Sequence, residues 1–185
     1  IEIDGINIKD LNLDKLRKNI GYVPQNPFLF SESIKENLQY GLKNADDYKI
    51  IDASRKAVIH EDIINFKKGY KTILGERGIT LSGGQIQRVS IARVFIKNPK
   101  IYLFDDCLSA VDNNTEEKIL KNLKSISNNK TTIIVSHRIS SLKHADQIIV
   151  FENGKIVQQG KHIDLMGVTG YYKELFEKQQ ADQAK

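Results

Sequence analysis

Two spacings of apolar residues alternate along the chain. The short runs Gly21-Tyr22-Val23, Lys100–Phe104, Thr131–Val135 and Gln147–Phe151 are dense in β-branched and aromatic residues and read as strands. Pro24 ends the first of them, because it has no N–H to give to a ladder. Elsewhere apolar positions recur at helical spacing. Asp14–Asn19 predicts a short helix, and the pattern is helical from Ser33 to about Phe66. Ser33 has Glu36 three residues on, the spacing of a capping box. A second helix in that stretch is expected over about Asp46–Val58, and Gly69–Gly78 reads as a loop. Ser82–Lys97, Thr115–Ile126, Ser140–His144 and about Tyr171–Gln180 predict further helices. Ile3–Ile8 reads as two short strands about a turn. Asn153-Gly154 is the turn of a hairpin joining Gln147–Phe151 to Lys155–Gln159.

The order of these elements sets the fold class. Strand–helix–strand alternation in the second half implies a parallel sheet, hence an α/β fold. The helical stretch before it reads as an insertion after which the sheet resumes. This divides the chain into 1–25, 26–98 and 99–185.

Composition narrows the class without naming a chemistry. Of 185 residues, 40% are hydrophobic and 28% charged, a globular balance and not a disordered one. Lys and Arg number 28 against 23 Asp and Glu, a net charge of +5, with the two signs interspersed. No concentrated basic run marks a nucleic-acid arm, so no nucleic-acid partner is expected. Cys107 is the one cysteine, which excludes an intrachain disulfide and suits a reducing compartment. No run approaches the roughly 18–20 apolar residues of a membrane span. Ile1-Glu2-Ile3-Asp4-Gly5 has neither an initiator Met nor a basic leader, and it reads as the middle of a domain.

Four groups of residues carry candidate chemistry. Leu81-Ser82-Gly83-Gly84-Gln85 opens a helix: the glycines admit a phosphate close to the backbone, and the helix start offers N–H groups and partial positive charge. An ordinary Ser-capped helix start accounts for the pentapeptide equally well. Ile101–Phe104 delivers Asp105 and Asp106 at the carboxyl end of a strand, where ligands bind in open parallel sheets. One carboxylate there can hold Mg²⁺ and the other can orient or deprotonate a water. Neighbours on a strand face opposite ways, so the two acids are expected to differ in role. His137 follows the strand Thr132–Val135, and Gln25 follows the strand ending at Pro24. Taken singly, both read as loop or surface residues.

Together, in this order and spacing, these residues are similar to the ATP-binding cassette (ABC) ATPases, over essentially the whole chain. Leu81–Gln85 resembles that family's signature, Ile101–Asp105 its Walker B strand, Ser109-Ala110-Val111-Asp112 its D-loop, His137 its switch histidine and Gln25 its Q-loop. Gly75-Glu76-Arg77-Gly78 and Gly160–Met166 resemble exporters with fused transmembrane domains. The resemblance implies a P-loop NTPase (RecA-like) parallel sheet core, incomplete at the N-terminus, with an inserted α-helical subdomain over 26–98. It implies ATP and Mg²⁺ as cofactors. Asp105 and Gln25 would serve the metal, Asp106 would stand as catalytic base, and His137 would reach the γ-phosphate. Ser82, Gly83, Gly84 and Gln85 would face ATP held by a second nucleotide-binding domain, with Asp112 at that dimer interface. Residues 26–98, Glu76 and Arg77 among them, would contact transmembrane domains at the cytoplasmic face of a membrane.

Two departures qualify the resemblance. No G-x-x-x-x-G-K-S/T loop is present, and in the family that loop lies N-terminal to the position of Gln25. The expectation is a domain truncated at its N-terminus that alone binds ATP weakly, does not hydrolyse it, and exposes an apolar sheet face or edge. Asp106 stands where efficient members carry Glu, one methylene longer. This resembles the degenerate half of heterodimeric exporters, so a heterodimer is favoured over a homodimer. Three classes stay open: the ATPase domain of an exporter, a nucleotide-dependent dimerisation module with little hydrolysis of its own, and a soluble ABC ATPase. The exporter-like loop and the absence of a sustained heptad count against the last.

Overall fold

Alternating buried and half-buried residues in Ile101–Asp105 show why a sheet forms around this segment. The computed structural model describes residues 1–75 and 80–183, which form two compact units, Ile1–Val135 and Ser136–Lys185. The first unit comprises β1 (Glu2–Ile3), β2 (Ile6–Asn7), α1 (Leu13–Asn19), β3 (Ile20–Val23), α2 (Ile34–Gln39), α3 (Asp47–Lys56), α4 (His60–Asn65), α5 (Gly83–Lys97), β4 (Ile101–Asp105), α6 (Asn113–Ile126) and β5 (Thr131–Val135).

Strands β3, β4 and β5 form a parallel sheet in that order, as strand–helix–strand alternation predicts. The register sets Tyr22 beside Leu103 and Ile133, and Val23 beside Phe104 and Ile134. Val23, Tyr102 and Phe104 are buried on one face, in a core shared with Val89, Ile91, Val94 and Phe95 of α5 and with Ile119 and Leu123 of α6. The opposite face carries Tyr22, Leu103, Asp105, Ile133 and Val135. Tyr22, Ile133 and Val135 on it are more than half exposed, which matches the expected apolar sheet face.

The helical stretch from Ser33 onward is three short helices, α2 to α4, and not two longer ones. Asn44 (φ 62°) and Val58 (φ 55°) adopt left-handed backbone in the connections on either side of α3, a conformation that does not continue a helix. The capping box is present: the Glu36 amide donates to Ser33 Oγ, and the Ser33 amide donates to the Glu36 carboxylate at 2.8 Å. Within the expected Gly69–Gly78 loop, Gly69–Lys71 forms a 3₁₀ turn and Ile73 bridges Ser33. Glu76, Arg77 and Gly78 lie outside the described residues.

In the second unit, β6 (Ile148–Glu152) and β7 (Lys155–Gly160) pair antiparallel. Asn153 (φ 49°) and Gly154 (φ 75°) supply the two positive φ angles that a tight hairpin turn needs. A 3₁₀ turn at Ile139–Ser141 replaces the expected Ser140–His144 helix. Two helices follow, α7 (His162–Met166) and α8 (Tyr171–Gln183), and the core is Ile139, Ile148, Val150, Leu165 and Tyr172. Among the described residues no helix is long and apolar enough to cross a membrane.

Candidate functional site

The two adjacent acids at the end of β4 occupy different environments. Asp105 is the last strand residue and lies on the open sheet face, where Tyr22 Oη donates to its Oδ2 at 3.1 Å. That hydrogen bond to a carboxylate raises the Tyr22 pKa, because the phenol proton is held in place. Asp106 has left the strand: its φ is 44°, and its amide donates to Val135 O at 2.8 Å. It is only 8% exposed, and Gln25 Nε2 donates to its Oδ2 at 3.3 Å. The two acids therefore meet different surroundings, and the left-handed turn at Asp106 produces the difference. Alternation along a continuous strand does not. Gln25 and Asp106, remote in sequence, meet here.

Helix α5 begins with Ser82 as its cap. The Gln85 amide donates to Ser82 Oγ at 3.3 Å, and the Ser82 amide donates to Gln85 Oε1 at 3.0 Å, a second capping box. Gln85 Nε2 donates to Asp62 Oδ1 at 2.9 Å. One turn along, Arg88 pairs with Asp62 Oδ2 at 2.8 Å and also donates to the carbonyls of Gly84 and Val58. Burial presses the Asp62 carboxyl upward, but the hydrogen bonds from Arg88 and Gln85 outweigh it and leave the pKa below the usual carboxylate value.

The glycines of Ser82–Gln85 have unequal parts. A Cβ on Gly84 would lie 2.8 Å from Ala110 O, so the side where a side chain would stand is taken up by this chain's own backbone. A Cβ on Gly83 would meet only the Ala110 methyl at 3.5 Å. Beside them, Gln87 is buried, with Nε2 donating to Ser109 Oγ at 3.2 Å and Oε1 accepting from the Ala110 amide at 3.0 Å. A pocket of about 330 Å³ opens between Gln25, Pro27, Gly83, Ile86, Gln87 and Ser109.

Asp112 caps α6: its Oδ1 accepts the Thr115 amide at 3.0 Å, and this bond lowers its pKa. His137 belongs to the second unit, where its carbonyl accepts from Gln179 Nε2 at 2.6 Å, while Gln179 Oε1 accepts the Ile139 amide at 3.0 Å. Tyr22, Asp62, Gln87 and Gln179 were not singled out from sequence. Gln87 alone left a trace there, as a polar residue one and two helical turns before the apolar positions Ile91 and Val94.

Among the described residues no group of three or more His, Cys, Asp or Glu side chains converges on a metal position. One half-buried carboxylate at a strand end, Asp105, fits Mg²⁺ that keeps water and phosphate oxygens in the rest of its shell, and not a cage built by protein alone.

A profile of the ABC transporter family matches residues 1–109, which carry Gln25, the Ser82–Gln85 helix start, Asp105 and Asp106. The chain belongs to the ABC transporter family. Its parallel α/β core is the P-loop NTPase fold of that family. A solved bacterial Atm1-family ABC exporter with ATP bound matches it at TM-score 0.91 and 40% identity, over 97% of this chain and 32% of that one. An uncharacterized ABC transporter ATP-binding protein of Bacillus subtilis (strain 168), YknU, is 48% identical over 182 residues, 98% of this chain and 31% of its own length. A probable multidrug resistance ABC transporter ATP-binding/permease protein of the same organism, YheI, is 44% identical over 97% of this chain and 31% of its own. The chain spans about a third of the length of these ABC relatives.

Proposed function

We propose that this chain is part of the ATP-binding and hydrolysing domain of an ABC exporter, acting in a dimer of such domains. The observation that carries this is the pairing of an open Asp105 with a buried Asp106 under Gln25 at the carboxyl end of a parallel strand. When bound, ATP with Mg²⁺ supplies the phosphoanhydride that is broken and the charge that must be neutralised. Asp105 would hold the metal. Asp106, oriented by Gln25, would take the proton of the attacking water, and Gln25 would link that event to residues 26–98. His137 would reach the γ-phosphate region. Ser82, Gly83, Gly84 and Gln85 would present the start of α5 to nucleotide held by the partner domain, with Asp112 at the interface. Residues 26–98, with Glu76 and Arg77, would meet the transmembrane domains on the cytoplasmic face of the membrane.

Asp106 also supports a second reading, the degenerate half of a heterodimer. Its carboxylate is one methylene shorter than Glu, so its water is held less well. In both readings the isolated 185 residues, which hold no G-x-x-x-x-G-K-S/T loop, bind ATP weakly and do not hydrolyse it.

The test is steady-state ATP hydrolysis by the full-length transporter, purified alone in lipid. Removing the base with Asp106→Asn is expected to lower kcat about 100-fold. Asp106→Glu is expected to raise it. No gain from Glu would count against the degenerate half, and an unchanged rate in Asp106→Asn would remove Asp106 from the chemistry.

A further inference from the structure

We infer that Gln87 is a positioning residue that fastens the Ser109–Ala110 loop to the start of α5, and through it holds Asp106 in register. This rests on the hydrolytic reading above. Ser109 and Ala110 are exposed loop residues, whereas Gln87 is 5% exposed on a 15-residue helix packed into the core. Its amide uses both ends on the loop: Nε2 donates to Ser109 Oγ at 3.2 Å and Oε1 accepts from the Ala110 amide at 3.0 Å. The same Ser109 hydroxyl donates to Asp106 O at 3.0 Å. Two hydrogen bonds therefore join the helix to the backbone of the residue that Gln25 contacts. The close approach of Gly84 to Ala110 O closes the second side of this joint.

The geometry has a functional consequence. A carboxylate that activates water needs sub-ångström placement, and Asp106 sits in a left-handed conformation that its surroundings must maintain. The side-chain hydrogen bonds of Gln87 go to Ser109 and Ala110, so its proposed part is to position Asp106 through the loop and not to act as a catalytic residue. Its loss should affect the rate and leave nucleotide affinity alone. Because α5 also begins with the residues proposed to face the partner's ATP, the joint would make that helix start and Asp106 move together.

The experiment uses the full-length transporter with Gln87→Met, which keeps length and volume and removes both hydrogen bonds. Ala110 is exposed, so water can take its freed amide. Two quantities are read: kcat and KM for ATP, and backbone hydrogen exchange in nucleotide-free protein. The expected result is a kcat lowered about tenfold with KM within about twofold of wild type. Exchange should be faster in a peptide covering 106–112 and unchanged in α5. A wild-type kcat overturns the inference, as does a loss of rate carried by KM or exchange raised throughout α5. If the Met variant fails to fold, Gln87→Glu is read in the same way. It retains the acceptor for Ala110 and loses the donor to Ser109. If the wild-type transporter hydrolyses no ATP, the hydrolytic reading fails, and the exchange measurement still decides whether Gln87 anchors the loop.

Discussion

Cys107 follows the two acids directly, yet its surroundings keep it out of any chemistry. It is 2% exposed, and burial pushes its thiol pKa up to about 12, with the charges of Asp106 and Asp105 adding to the rise. At pH 8 almost none is thiolate. A maleimide titration of the native chain should therefore leave Cys107 unmodified and label it fully in denaturant. Rapid native labelling would show that the turn after β4 opens. Gly84 makes the opposite point, that an absence can be structural. Gly84→Ala would press a methyl against Ala110 O, a backbone atom that cannot rotate away. We expect a loss of about 1–3 kcal/mol in unfolding free energy, measured by urea denaturation. Gly83→Ala, which meets only a methyl at ordinary contact distance, should cost little.

Between elements, the Asp62 carboxylate ties α4 to the start of α5 through Gln85 and Arg88. Replacing it by Asn should cost about 1.5–3 kcal/mol, the scale of hydrogen bonds to a charged group. Its folded pKa is lowered, so its contribution is whole above the ordinary carboxylate pKa of about 4 and fades as pH falls through the lowered value. The stability gap between wild type and Asp62→Asn should then be constant from about pH 7 to 5 and shrink below about pH 4. A gap that instead widened on acidification would assign Asp62 another partner. Elements were legible in the sequence where a local rule suffices. The apolar run of β4, the Ser33–Glu36 spacing and the Asn153-Gly154 turn each specify their own geometry. The division of residues 33–66 into three helices was not legible, because Asn44 and Val58 turn left-handed in a context the pattern does not show. The acids and Gln25 were legible by kind and order. The hydrogen bonds of Asp62, Gln87 and Tyr22 span 22 to 83 residues, and no periodicity reports contacts at that separation.

At the scale of the whole chain, one face of the parallel sheet decides solution behaviour. Tyr22, Ile133 and Val135 are 53%, 52% and 54% exposed, and the paired strands carry them side by side with Leu103. Among the described residues β5 is also an outer strand of its sheet, so one line of its backbone groups has no strand partner. An apolar face beside an unpaired edge is the arrangement through which sheets join other chains. The purified 185-residue chain is therefore expected to self-associate as concentration rises, seen in sedimentation velocity as a growing average mass. Ile133→Glu should suppress this association without loss of the fold, because position 133 points away from the core that Phe104 and Ile134 share. Val135→Lys should act in the same direction. Phe151→Glu, on an exposed position of the β6–β7 hairpin, should not if the sheet face is responsible. A chain that stayed monomeric at all concentrations would mean that this face is covered in solution. Suppression by Phe151→Glu alone would move the association to the hairpin.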